Sequence, residues 1–250
     1  MIEVPMNYYY ITGTASGIGK AIATQLLNDP QNKVIGISRN NAITHTNFKF
    51  IQLDLSDINA LYNFKFQAHP DSEKICLINN AGMLGEVKHV GKLNARAIAQ
   101  NYQVNLVAPS ILMNAFINFY DSSTAEKIIL NISSGAGKVS IDGWAGYCAS
   151  KAAIDMFSRV VDEELKMDAS GKAQRFKIFS VAPGKVDTAM QAEIRKSAKE
   201  DFSKVQDFID FKNGDQLLSP EVVADKYIKL LYNSDKVQGS VFSLRELDLI

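Results

Sequence analysis

Short runs of apolar residues alternate with longer stretches whose apolar positions recur every three or four residues, along almost the whole chain. The runs are YYYIT (8–12), KVIGIS (33–38), FKFIQLDL (48–55), KICLIN (74–79), KIILNIS (127–133), FKIFSVAP (176–183) and SVFSL (240–244). Several are β-branched or aromatic over most of their length, which predicts strands covered on both faces. Between them, Ile18, Ile22 and Leu26 keep helical spacing within 18–28, and Ile154, Phe157, Val161 and Leu165 keep it within 147–166. The stretch 102–120 reads the same way. Strand–helix alternation predicts an α/β chain with a parallel sheet and right-handed crossovers.

Composition narrows the class. Of 250 residues, 46% are hydrophobic and 22% charged, enough for a globular core. Lysine plus arginine equals aspartate plus glutamate, 27 each, so no global field favours nucleic acid or an anionic membrane. No apolar run approaches the roughly 20 residues of a membrane span. The start, MIEVPMNYYYITG, lacks a basic segment followed by a long apolar one, so no secretory signal is expected. Residues 1–6 are expected to form a disordered start, with Met6 an alternative first residue. Cys76 and Cys148 make no disulfide framework, which suits a cytoplasmic location. The three histidines lie far apart, so no metal site is expected.

YYYITGTASGIGKAIATQLL reads as strand, turn and helix. Gly13 allows a tight exit from the strand. Gly17 and Gly19 let backbone approach a pyrophosphate at a helix N-terminus, where free N–H groups and the dipole favour anions. After the second strand, VIGISRNN offers Ser38 and Arg39 but no acid. An acid there suits the ribose 2′-hydroxyl of NAD, whereas arginine accommodates a 2′-phosphate, so NADP(H) is favoured.

GYCASKAA (146–153) sets Tyr147 and Lys151 one helical turn apart, on one face. The spacing recurs in Tyr232 and Lys236, with Ser219 thirteen residues before Tyr232 as Ser134 is before Tyr147. That second set is a decoy. Ser219 followed by Pro220 reads as a helix N-cap with proline at the first helical position, and Tyr232 falls at that helix's end.

The chain resembles the short-chain dehydrogenase/reductase family over nearly its whole length. TGTASGIG (12–19), DLSD (54–57), NNAG (79–82), VNL (104–106), NISS (131–134), YCASK (147–151) and PGKVDT (183–188) stand in family order at family spacing. The resemblance implies one Rossmann-like doubly wound domain over 1–250, with about seven strands and helices on both faces. It also implies hydride exchange between a nicotinamide and a carbonyl or alcohol. Its catalytic tetrad falls on Asn105, Ser134, Tyr147 and Lys151. Tyr147 would supply the proton, and Lys151 would lower the phenol's pKa and hold the nicotinamide ribose. Ser134 would donate to the substrate oxygen. Asn105 would hold a water linking the lysine to solvent. Ser133 is the tempting neighbour; the family spacing to the tyrosine selects Ser134, and because successive strand residues face opposite ways the two are not expected to be interchangeable. The small residues Ala149, Ser150, Ala152 and Ala153 are expected to let neighbouring structure approach. Cofactor contacts are implied for Gly13, Ser16, Gly17, Ile18, Gly19, Arg39, Asp54, Leu55, Asn80, Ala81, Gly82, Tyr147, Lys151, Pro183, Gly184, Val186 and Thr188.

Within the family, NISSGAGKVSIDGWAGYCASKAAIDMF and PGKVDTAMQ are most similar to sepiapterin reductases and bacterial benzil reductases. These reduce a carbonyl beside a second carbonyl or imine with NADPH. Animal sepiapterin reductases anchor the pterin with an aspartate near the C-terminus; the matching position here is Ser243, with Glu246 or Asp248 as substitutes. Residues 189–218 read as a lid over the substrate. Trp144 either lines the pocket or packs, and Cys148 reads as a packed residue. A general reductase of acyl thioester or steroid ketones shares every motif above. A non-catalytic NADP sensor is the third reading, against which the intact tetrad argues. The resemblance also implies a homodimer through 102–120 and 147–166, with a tetramer as the alternative.

Overall fold

The computed structural model describes residues 5–168 and 175–247. Seven strands form one parallel sheet in the order β3-β2-β1-β4-β5-β6-β7. They are β1 (Met6–Thr12), β2 (Asn32–Ser38), β3 (Phe48–Gln52), β4 (Ser72–Asn79), β5 (Glu126–Ile132), β6 (Phe176–Ala182) and β7 (Val241–Ser243). The order reverses between β1 and β4, so the two halves of the sheet are wound in opposite directions from that point. In open α/β sheets the crevice beyond such a switch point, at the carboxyl ends of the strands, is where ligands bind.

Strand alternation divides the core. Tyr9 and Ile11 join one apolar layer with Ile22, Leu26, Val223, Tyr227 and Leu230. That layer is covered by α1 (Gly17–Leu26) and α8 (Pro220–Tyr232), which pack against each other. Tyr8 and Tyr10 point the other way and join Leu112, Phe116, Ile154 and Val161. Those residues come from α4 (Ala108–Phe119) and α5 (Ala145–Met167). The remaining helices are α2 (Ile58–Asn63), α3 (Ala95–Tyr102), α6 (Ala189–Ile194) and α7 (Val205–Asn213).

Three expectations change. Met6 belongs to β1, because it pairs with Ser72 and its amide donates to the Asp71 carbonyl at 3.1 Å; residues 1–4 lie outside the described residues. The third strand stops at Gln52, since Asp54 turns the chain by accepting from the Ser56 amide at 2.9 Å. The helix expected over 102–120 is interrupted by a π-helical turn at Gln103–Val107, which separates α3 from α4. The decoy is structural: Ser219 caps α8 by accepting from Val222 N, and the Tyr232 hydroxyl accepts from Asn32 Nδ2 at 3.1 Å.

Candidate active site

A cavity of about 1010 Å³ opens beyond the carboxyl ends of the strands. Its walls include Gly13, Ser16, Gly17 and Ile18 from the turn after β1, and Arg39 from the loop after β2. Asp54, Leu55, Asn80, Ala81 and Gly82 follow, then Ser134, Tyr147 and Lys151, then Pro183, Gly184, Val186 and Thr188.

The glycine turn is braced from β4. The Thr12 hydroxyl accepts from the amides of Asn80 and Ala81, each at 3.0 Å. Asn80 Nδ2 donates to the carbonyls of Thr12 and Gly13 at 2.9 and 3.2 Å. Gly17 adopts φ +57°, and a Cβ there would face open cleft, with only Thr188 Cγ2 nearby at 3.7 Å. Gly19 does something other than the backbone approach expected of it. It is buried and does not line the cleft; a Cβ there would overlap the Asn80 side chain and the Gly13 carbonyl. The glycine lets α1 pack on the turn.

Ser133 and Ser134 follow the end of β5, and both border the cleft. Ser133 is buried and its hydroxyl has no partner, whereas Ser134 accepts from the Ala136 amide at 3.2 Å and lies close enough to the Tyr147 phenol to favour its ionisation. Tyr147 and Lys151 project from the first turns of α5. Lys151 is 6% exposed, and its Nζ donates to the Ile132 carbonyl at 2.8 Å. Its Nζ sits 5.7 Å from the centroid of the Tyr147 ring. Burial pulls the lysine pKa down from 10.5 to about 8, against the attraction of Asp155.

The expected lowering of the tyrosine pKa by Lys151 is absent. Burial raises the Tyr147 pKa, and the opposing influence is the Ser134 hydroxyl. A phenol held protonated by burial is a proton donor at neutral pH.

Asn105 lies on the π-helical turn, a distortion frequent at functional sites. Its Oδ1 accepts from Met83 N at 2.9 Å, and its Nδ2 donates to Met83 O at 2.8 Å and to Ser150 Oγ at 3.2 Å. The amide thereby fixes the loop after β4 to α5. Of the small residues around Lys151, Ser150 makes that inward contact, while Ala149 and Ala152 face outward. Close approach comes instead from Gly137, where a Cβ would meet the Lys151 carbonyl carbon at 2.9 Å.

Trp144 both lines the cleft and packs. Its ring meets Tyr147 edge-on at 5.8 Å and stacks on Phe202 at 5.2 Å. Phe208 of α7 adds a contact at 5.5 Å. Met190, Gln191 and Ile194 of α6 also reach the cleft. The segment carrying α6 and α7 is closed at its base: Asp187 N donates to Leu218 O at 2.8 Å, and Leu218 N to Lys185 O at 2.9 Å. Cys148 packs in this aromatic cluster. Ser243 and Glu246 line the cleft; Asp248 lies outside the described residues. Sequence reasoning did not single out Gln191, Lys185 or Arg245, which also face it. Among the described residues no group of three His, Cys, Asp or Glu side chains could hold a metal, and no helix is long and apolar enough to cross a membrane.

The short chain dehydrogenase family matches residues 7–199. A benzil reductase ((S)-benzoin forming) of Bacillus cereus is 41% identical, covering 96% of this chain and 100% of that protein. Sepiapterin reductase of Mus musculus is 30% identical, covering 76% of this chain and 78% of that protein. A solved short-chain dehydrogenase/reductase from Saccharomyces cerevisiae superposes with a TM-score of 0.82 at 25% identity, covering 98% of each chain. The chain therefore belongs to the short-chain dehydrogenase family, whose members are oxidoreductases acting on carbonyl or alcohol groups with a nicotinamide cofactor.

Proposed function

We propose that this protein is an NADPH-dependent carbonyl reductase whose substrates are α-dicarbonyl compounds. The observation that carries the reading is the placement of Ser134, Tyr147 and Lys151 on one wall of a cleft that begins at a glycine turn. The residues present suit a dinucleotide. Gly17 leaves open space at the N-terminus of α1, the Ser16 side chain makes no capping bond, and the first turn holds no acid to repel a phosphate. Gly13, Ser16, Gly17, Ile18 and Thr188 would cradle the pyrophosphate, and Asp54, Leu55, Asn80, Ala81 and Gly82 the adenosine half. Pro183, Gly184 and Val186 would meet the nicotinamide half. Arg39 is exposed on the rim with no acid beside it in the loop after β2. Asp54, the nearby carboxylate, is held below its usual range by the Ser56 amide and hydroxyl. A 2′-phosphate would pair with the Arg39 guanidinium.

The reduced nicotinamide supplies the hydride. Tyr147 gives its phenolic proton to the substrate oxygen, and the Ser134 hydroxyl donates to that same oxygen as negative charge develops. Lys151, an ammonium below pH 8 and beside the Tyr147 ring, would hold the nicotinamide ribose. Trp144 and Phe208, backed by the buried Phe202, exclude water and offer flat apolar surface, and 189–218 acts as the lid.

Diketones are favoured over pterins because Ser243 offers only a neutral hydroxyl where a pterin's N–H donors call for a carboxylate. That hydroxyl already accepts from the Arg245 amide at 3.3 Å, and Glu246 faces Lys138 at 3.8 Å. The test is NADPH oxidation against benzil, sepiapterin, an acyl thioester and a steroid ketone, in wild type and Ser243→Asp. Benzil should be reduced at least as efficiently as sepiapterin, with Ser243→Asp shifting the balance toward sepiapterin. Strong wild-type preference for sepiapterin, the thioester or the steroid refutes the reading.

Assembly is proposed as a homodimer through the outer faces of α4 and α5. Ala149, Ala152, Met156 and Val160 form an exposed stripe at helical spacing, and Phe119 is exposed on α4.

A further inference from the structure

The substrate end of the cleft carries cations that the proposed chemistry does not use. A chain of ring contacts leads from Tyr147 through Trp144 to Phe208, and from Phe208 to Phe211 at 5.6 Å. Lys185 Nζ caps that chain, 3.0 Å above the centroid of the Phe211 ring. Next to Lys185, Gly184 adopts φ +84° and presents bare backbone to the Arg245 guanidinium. A Cβ on Gly184 would meet Arg245 Nε at 3.3 Å and Nη2 at 3.6 Å. Arg245 and Lys185 are therefore neighbours on the cleft wall.

Neither has an acidic partner: Arg245 is exposed to solvent and Lys185 rests on the Phe211 ring. Among the described residues, the Arg245 guanidinium has no hydrogen bond or ion pair, and Lys185 has no carboxylate within salt-bridge distance. The acids nearby are engaged elsewhere or set back. Glu246 faces Lys138, Asp187 takes Lys212 at 2.7 Å, and Asp207 attracts Lys185 only weakly. Glu193 is a further acid lining the cleft. Two like charges side by side repel, and a fork-shaped guanidinium beside an ammonium matches a carboxylate in shape and charge.

We propose that Arg245 and Lys185 form an anion-recognition site at the substrate end of the cleft, so that the preferred α-dicarbonyls carry a carboxylate away from the reacting carbonyl. The inference rests on the reductase reading above and names the substrate class of the same site. It makes Arg245 the main specificity-determining residue, with Lys185 adding charge; neither touches the reacting atoms.

The test compares benzil bearing a para-carboxylate with its para-methyl ester, two electron-poor diketones that differ in charge, in the wild-type enzyme with NADPH. The carboxylate should have the higher kcat/KM, on the order of tenfold, expressed in KM and weakening as salt rises. Arg245→Met should erase the preference while leaving the ester's kinetics and the NADPH KM unchanged, and Arg245→Lys should restore part of it. Lys185→Met should reduce the preference by a smaller factor. Equal rates for acid and ester in wild type, or equal loss for both in Arg245→Met, would overturn the anion site while leaving the reductase reading intact. Turnover of neither compound overturns both.

Discussion

Replacing Lys151 by methionine should cost the enzyme its activity and yet make the fold more stable at neutral pH. The lysine is buried, and burial lowers its pKa from 10.5 to about 8 despite the attraction of Asp155. At 1.36 kcal/mol per unit, holding the charged form in the folded state costs about 3 kcal/mol at pH 7. Methionine keeps the stem and its packing but loses the hydrogen bond to the Ile132 carbonyl, worth about 1 kcal/mol. Lys151→Met should therefore gain about 2 kcal/mol. The pH dependence has a definite sign. Because the folded pKa lies below the unfolded one, the unfolded chain binds more protons between pH 8 and 10.5. Wild-type stability from this group thus rises with pH across that window, and the variant's advantage shrinks and then reverses. Urea unfolding of both proteins at one protein concentration, without cofactor, from pH 7 to 10.5, measures this. A variant less stable than wild type at pH 7, or a difference that does not change with pH, would refute the reasoning. In the same variant NADPH-dependent turnover should fall by at least ~10²-fold.

Tyr147→Phe should lower kcat by ~10²–10⁴-fold with NADPH affinity preserved, as read by fluorescence titration, while Tyr232→Phe leaves catalysis unchanged. Arg39→Ala should raise the KM for NADPH about tenfold or more and barely alter NADH kinetics; equal losses would make Arg39 structural. Gly19→Ala, which would press a methyl group into the Asn80 side chain, should lower Tm by several degrees in a thermal scan. Light scattering at micromolar concentration should give a dimer, and a charge placed at the outer stripe, as in Met156→Glu, should shift it toward monomer.

Much of this architecture is legible in the chain because parallel strands covered on both faces must be apolar throughout. The runs around Tyr9, Val34, Leu77, Ile129 and Phe179 announce themselves, and each helix between them keeps its own period. The choice of Ser134 over Ser133 follows from the family spacing to Tyr147. What stayed hidden depends on contacts between distant segments. Nothing in QVNLV marks a π-helical turn, or the bonding of Asn105 on that turn to the distant Met83 backbone. The packing role of Gly19 needs Asn80, sixty-one positions away. The Tyr147 pKa could not be read from the Tyr147–Lys151 spacing, because burial outweighs the neighbouring charge. Arg245 stands out only once β7 has brought it against Gly184.

The closed base of the segment between Val186 and Leu218 carries a consequence for how such enzymes diversify. These two residues form an isolated parallel bridge, so the chain leaves the sheet region and returns to the same spot. An excursion pinned at its stem behaves as a cassette. Its length and sequence can change with little strain on the strands, because doubling a loop costs only about 0.6 kcal/mol of closure entropy. Tyr147 and, Thr188 apart, the proposed dinucleotide contacts lie outside the cassette, whereas Met190, Gln191 and Phe208 lie within it. Exchanging 189–217 as one block, with the Val186–Leu218 bridge retained, should exchange the lining that Met190, Gln191 and Phe208 contribute, while the Arg245–Lys185 preference for an anion and the reaction itself stay in place.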